Sequence, residues 1–406
     1  MPGARRGACS SGTPFTFLLV ASLLVACSGG TGRTGATSTV APVQSATAKP
    51  TPSLHRLEAA SSQGPAQPLP ATATPAPLPT PTPLLPVSTA STETPEPTPH
   101  PLAAFTIEGL RSRAYPGGTI EILGTLEMTD RYTRYAIAYP SDGLRITGVM
   151  HVPHGEGPFP VVILNHGYIP PERYWPGADT WREADFLARR GYLCVAPDFR
   201  GWAGSDPGPN YFRTGIVIDV LNLISSLRSV PQADPDRIGL WGHSMGGGLV
   251  AKAITIDSRI DAAVLYGPVS AYDLDNIEKW GDGLAHDSDD PLAPVYREAA
   301  RDPEFIRLTS ATFFFHYVTA AVQIHQGTAD TVTPPEWARS IRDSLLLAGK
   351  SVEYYEYPGQ GHAFQGASWL LFMERVAAFF DAHLKAAATR RVGRGVHLVT
   401  GIWFGR

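Results

Sequence analysis

The stretch Arg237-Ile238-Gly239-Leu240-Trp241-Gly242-His243-Ser244-Met245-Gly246-Gly247-Gly248 decides the fold. It opens as an apolar run, RIGLW, of the kind a strand buried on both faces requires. It closes in glycines that lead into a helical pattern over residues 245–257. Between them lies Gly242-x-Ser244-x-Gly246, the spacing of a sharp strand-to-helix turn with a serine at its tip. Such a turn strains the serine backbone, so a side chain at Gly242 or Gly246 would clash. The helix that begins there aims its first N–H groups at developing negative charge. By itself the five-residue pattern is a weak signal in a glycine-rich chain. The strand before it and the helix after it are the confirming context.

Similar apolar runs flank this one: Pro160–Leu164, Tyr192–Ala196, Ala262–Tyr266, Val322–His325 and Val352–Tyr357. Arg134–Tyr139 and Leu144–Val152 alternate, with Ser141-Asp142-Gly143 between them as a hairpin turn. Helical patterns cover 179–190, 214–228, 335–348 and 367–385. In the last, Trp369, Phe372, Met373, Val376, Phe379 and Phe380 recur at spacings of three and four. Strand and helix in alternation predict an α/β fold, a mostly parallel, doubly wound sheet. Residues 268–315 interrupt the alternation with Asp- and Pro-rich sequence and helical pieces at 293–301 and 303–309. They read as a short helical lid or as an excursion without contact to substrate.

A serine nucleophile needs a base, and the base needs an orienting carboxylate. In such a fold the chain order is serine, acid, histidine. Asp330 follows strand VQIH in Gln326-Gly327-Thr328-Ala329-Asp330, and His362 follows strand VEYYEY in Gly359-Gln360-Gly361-His362. Both positions match that order. The N–H of Met245 is the expected first oxyanion donor. The loop Asn165-His166-Gly167-Tyr168 after PVVIL is expected to supply the second, the N–H of Tyr168 or, as a substitute, its phenol. His166 is expected to brace that loop. Asp198 and Arg200, after strand YLCVA, are expected to pair with each other, with Trp202 as a pocket wall. Asp219 reads as a surface or capping residue, and Cys194 as an inert core thiol. His151 and His154 lack convergent metal ligands, and no phosphate or dinucleotide loop occurs, so no metal and no cofactor are expected.

The chain has 406 residues, with 38 Pro, 40 Gly and only three Cys, which excludes a disulfide framework. Sixteen of the prolines lie in residues 28–104, amid Thr, Ser and Ala without apolar periodicity. Such a stretch cannot offset chain entropy by burial, and its Pro-rich half could reach on the order of 100 Å as an extended spacer. Arg5 and Arg6 precede an apolar run from Phe15 to Ala26, too short to span a bilayer. Leu24-Val25-Ala26-Cys27 then resembles a bacterial lipoprotein signal, in which Cys27 carries the lipid. The expected organisation is a signal at 1–26, a disordered tether at 27–104, a catalytic domain at 105–386 and an Arg-rich tail at 387–406. The expected location is the cell envelope, on the outer side of a bacterial membrane. The net charge of −4 argues against a nucleic-acid partner, and residues 105–386 alone carry −10, which favours solubility.

NHGY, DFRGWAGSD, GHSMGG, HQGTAD and GQGHAF, in this order, resemble the α/β-hydrolase superfamily over about residues 145–386. They most resemble the catalytic domain of the prolyl oligopeptidase (peptidase S9) family, and are similar to dienelactone-hydrolase-like and feruloyl-type esterases. The resemblance implies a triad of Ser244, Asp330 and His362. The acylaminoacyl-peptidase branch implies the N–H of Tyr168 as oxyanion donor. One departure matters. S9 peptidases carry a β-propeller ahead of the catalytic domain, and here only about 55 residues separate the Pro-rich stretch from the catalytic core. The expectation is therefore a serine hydrolase of small esters or short peptides. A carboxylesterase without peptidase activity is the alternative, and a non-catalytic binding module is the rival from another class.

Overall fold

Nine strands form one sheet in the order β1-β2-β3-β5-β4-β6-β7-β8-β9 in a computed structural model that describes residues 99–281 and 290–386. They are β1 (Glu121–Met128), β2 (Tyr132–Ser141), β3 (Leu144–Pro153), β4 (Phe159–Asn165), β5 (Leu193–Pro197), β6 (Ala233–His243), β7 (Ile260–Tyr266), β8 (Ala321–Gly327) and β9 (Val352–Tyr357). The strands from β5 through β9 pair in parallel, and β1, β2 and β3 add an antiparallel flank. The predicted fold class, a mostly parallel doubly wound α/β-hydrolase sheet, is the fold observed. The expected signal at 1–26, Cys27, most of the expected tether and the expected tail at 387–406 lie outside the described residues.

Alternation along each strand sends side chains to two cores. Val161, Ile163, Ile238, Leu240, Ala263 and Leu265 face one side. There they meet α1 (Ile107–Ser112), α3 (Thr214–Ser226), α4 (Met245–Ile256) and α8 (Pro335–Leu347). Val162, Leu164, Trp241 and Val264 face the other side, against α2 (Trp181–Ala188) and α9 (Gly366–Phe380). The apolar stripe predicted on the last helix is buried at Phe372, Met373, Val376, Phe379 and Phe380. Cys194 is fully buried, and burial pushes its thiol pKa well up, as an inert core thiol requires.

The Asp142-Gly143 hairpin turn has positive φ at both residues, 52° and 82°, the backbone a two-residue turn of this hand demands. Residues 268–315 contain α5 (Asp273–Trp280), α6 (Ala293–Ala299) and α7 (Pro303–Thr309). The last two, with Tyr211 and Phe212, build a small separate core that also buries Leu102. Ala103–Phe105 forms a single helical turn beside it. The folded part thus takes in residues whose composition matches the Pro-rich stretch.

Two expectations are corrected. Arg200 does not pair with Asp198. Its Nη2 and Nε lie 2.8 and 3.1 Å from Asp219, which also accepts from Arg200 N–H at 3.0 Å and from Ser141 Oγ at 2.7 Å. Asp219 is accordingly fully buried in α3, neither on the surface nor capping. Asp198 is held instead by Thr147 Oγ at 2.6 Å and Tyr174 OH at 2.8 Å, and burial raises its carboxyl pKa to about 6. Removing one member of a buried, hydrogen-bonded ion pair strands the other charge. Asp219→Ala should therefore lose about 3–5 kcal/mol of stability, read as a lowered urea midpoint. An unchanged midpoint would contradict that reading of the pair.

Candidate active site

Parallel register lines up the C-terminal ends of the central strands. Asn165 pairs with Gly242, His243 with Tyr266, Tyr266 with His325, and Gly327 with Tyr357. The loops that follow β4, β6, β7, β8 and β9 therefore emerge at one edge of the sheet, where open α/β sheets place their ligand crevice.

Ser244 leaves β6 at φ 55° and ψ −116° and opens α4. An L-residue avoids this region, so the surroundings must hold it there. Ser244 N–H donates to Tyr266 O at 2.9 Å, and Ser244 O accepts from Val269 N–H at 3.1 Å. A Cβ on Gly242 would lie 2.2 Å from Gly246 O, and one on Gly246 would lie 2.0 Å from Asn165 O. No side chain fits at either position. The glycine spacing of the motif is thus a steric requirement of this turn.

His362 Nδ1 donates to Asp330 Oδ2 at 2.8 Å. The carboxylate is gripped further by Val332 N–H and Thr333 N–H on Oδ1, at 2.8 and 2.9 Å. Thr333 Oγ lies 2.7 Å from Asp330 Oδ2 and 3.0 Å from Gly267 O, and its single proton serves one of them at a time. Burial pushes the Asp330 pKa up. Hydrogen bonds from His362 and Thr333, and the His362 charge, outweigh burial and bring it down to about 2. The Asp330 carboxylate and the His362 imidazole are thus in contact. Between Ser244 Oγ and His362, the described residues show no hydrogen bond.

The loop after β4 lies against the serine: a Cβ on Gly167 would sit 3.1 Å from Ser244 Cβ. Tyr168 follows with its side chain exposed, edge-on to Trp202 at 6.2 Å between ring centroids. Trp202 Nε1 donates to Ile169 O at 2.7 Å, so it braces this loop from outside. His166 stacks on Phe199 at 4.4 Å and places Nδ1 2.7 Å from Gly167 O, the bracing expected of it. Met245 opens α4, where its N–H has no helical acceptor. His151 is buried with its pKa lowered to about 4 by burial, and among the described residues no group of His, Cys, Asp or Glu is placed to hold a metal.

Sequence reasoning missed Asp179. It sits just before α2 in left-handed backbone, φ 65°, and accepts Gly167 N–H at 2.7 Å. Nothing in the sequence around it marks that role. Thr333 was legible in principle, because an Asp followed three residues on by Thr is a common side-chain-to-backbone turn.

A sharp serine turn, an acid–base pair on the neighbouring loops and a doubly wound sheet define a serine hydrolase of the α/β-hydrolase class. Residues 179–387, more than half of the chain, match the prolyl oligopeptidase family, and the chain belongs to that family. It is 27% identical over 137 residues to the quorum-quenching protein AidA of Acinetobacter baumannii, over 32% of this chain and 43% of that protein. The chain thus spans less than half the length of that relative. It is 23% identical over 243 residues to a putative carboxymethylenebutenolidase of Synechocystis, covering 56% of this chain and 85% of that one. An acetyl xylan esterase from Paenibacillus sp. R4 shares the fold, with a TM-score of 0.51 at 18% identity over 68% of this chain and 92% of that one. Membership of that family supports an ester or amide hydrolase.

The depressed Asp330 carboxyl makes a stability prediction with a definite sign. A carboxyl lowered on folding stabilises the fold fully above its ordinary value near 4. That contribution is lost as pH falls through about 2. The stability gap between wild type and Asp330→Asn should stay constant above about pH 4 and shrink below it, measured by thermal melting across the range. A gap independent of pH down to about 2 would contradict the assignment.

Proposed function

We propose that Ser244, His362 and Asp330 form the catalytic triad of a hydrolase of small esters. The observation that carries this is the His362–Asp330 hydrogen bond of 2.8 Å on the loops next to a serine held at positive φ. Ser244 Oγ attacks the acyl carbon while His362 Nε2 takes its proton. Asp330 keeps His362 protonated at Nδ1 and stabilises the imidazolium that forms. The N–H groups of Met245 and Tyr168 receive the oxyanion, with the N-terminus of α4 behind them. His362 then returns its proton to the leaving oxygen, and water repeats the sequence on the acyl-enzyme.

Esters are favoured over peptides by the segment ahead of the core. Residues 121–153 add β1–β3 to the hydrolase sheet itself, where S9 peptidases carry a propeller that filters peptides. A matched panel of aryl esters and chromogenic di- and tripeptides tests this reading. Aryl esters should turn over, peptides should not, and Ser244→Ala should lower ester kcat by at least about 10⁴-fold. Peptide turnover at comparable kcat/KM would overturn the substrate preference, and full activity in Ser244→Ala would overturn the mechanism.

The same proposal includes a tether. Lipidated Cys27 would anchor the chain on the outer side of a bacterial membrane, with the Pro-rich stretch after it as spacer and residues 268–315 as a lid. Wild type should sediment with membranes and Cys27→Ser should not. Equal partition of the two would remove the anchor.

A further inference from the structure

His243 stands between the glycine turn and the base, and the triad does not use it. Its side chain is buried, with Nδ1 2.8 and 3.0 Å from the two oxygens of Asp179 and Nε2 3.0 Å from His362 O. A carboxylate and a backbone carbonyl can only accept hydrogen bonds. A neutral imidazole has one N–H and can satisfy one of them. Both contacts are made together only if both ring nitrogens carry protons.

We propose that His243 is a buried imidazolium that positions the catalytic centre: one N–H holds Asp179 against the oxyanion loop, and the other holds the backbone of His362. The inference rests on the triad reading above. Asp179 Oδ2 accepts both His243 Nδ1 and Gly167 N–H, the residue before the Tyr168 donor. One buried cation thereby ties together the loop after β4, the residue before the nucleophile and the loop after β9. It also neutralises Asp179, whose carboxylate lies 3.0 Å from where a Cβ on Gly167 would be and would otherwise oppose a forming oxyanion.

The groups that face His243 from each neighbouring element agree with this state. Tyr266 of β7 stacks on it at 4.5 Å, and the His362 ring lies 4.6 Å away. Asp179 and Glu183 line a cavity of about 130 Å³ beside it. Burial pushes the His243 pKa down, but the charge and hydrogen bond of Asp179 outweigh it and hold it above its ordinary value. Asp179 is correspondingly lowered: burial pushes it up, and the His243 charge and hydrogen bond bring it below its usual range.

His243 is a positioning residue, so its test separates placement from binding. His243→Asn keeps a donor toward Asp179 and loses the one toward His362. His243→Gln reaches toward His362 and loses the one toward Asp179. With a p-nitrophenyl acyl ester, each should lower kcat on the order of 10–100-fold with KM within about threefold of wild type. The wild-type protein supplies a test that needs no fold-sensitive variant. Imidazole ¹⁵N spectra at about pH 7.5, a unit above the ordinary histidine value, should show a persistent imidazolium. Asp179→Asn should abolish it, since an amide at Asp179 can donate to Nδ1 of a neutral ring. Failure of the inference and of the triad reading are distinguishable. If Ser244→Ala is inactive while both His243 variants keep wild-type kcat, or while every wild-type histidine is neutral, the positioning role is overturned and the triad stands. If Ser244→Ala is fully active, the triad falls.

Discussion

The backbone of Ser244 is the constraint on which the rest of the site depends. A serine at φ 55° sits where L-residues are strained, at a cost of about 1–3 kcal/mol. It stays there because the surroundings leave no alternative. Its N–H and C=O are both committed to β7 and the loop after it, through Tyr266 and Val269. Asn165 and Gly246 meet so closely that the space between them admits no Cβ. The helix that follows supplies unsatisfied N–H groups at the same point.

Everything else is arranged around that point by strand register. β6 lies at the middle of the parallel half, flanked by β4 and β7, and pairing in register makes their loops neighbours. Asp330 and His362 follow β8 and β9, further along the sheet from β6. The contacts that hold their loops are polar and buried. Thr333 can bridge Asp330, through its N–H, to Gly267, through its hydroxyl, and His243 lies between His362 and Asp179. In a medium of low dielectric, buried polar groups are costly unless satisfied, so such bridges fix geometry as well as hold it.

Much of this was legible in the sequence. The elbow, the strand ends carrying Asp330 and His362, and the stripe on α9 each follow from a period or a motif with a steric cause. What was not legible had physical reasons. β1 is exposed along its whole length and pairs through two irregularities, so it shows no alternation of the kind that reveals β2 and β3. α5 is short, and only Asp273 and Asn276 of its eight residues are buried. The partner of Arg200 is 19 residues away on α3, because helix packing on the sheet, rather than sequence proximity, decides which carboxylate is near. Asp179 shows the same limit. Its contact depends on the loop after β4 passing beside it, and a single left-handed residue before a helix carries no signature of that.

The central claim is that this turn presents Ser244 as the nucleophile. The most direct measurement is peptide mass mapping of the protein after reaction with a fluorophosphonate. The account predicts one covalent phosphonyl group per chain, on the peptide containing Ser244. A group on another residue, or no adduct under conditions that label other serine hydrolases to completion, would contradict it.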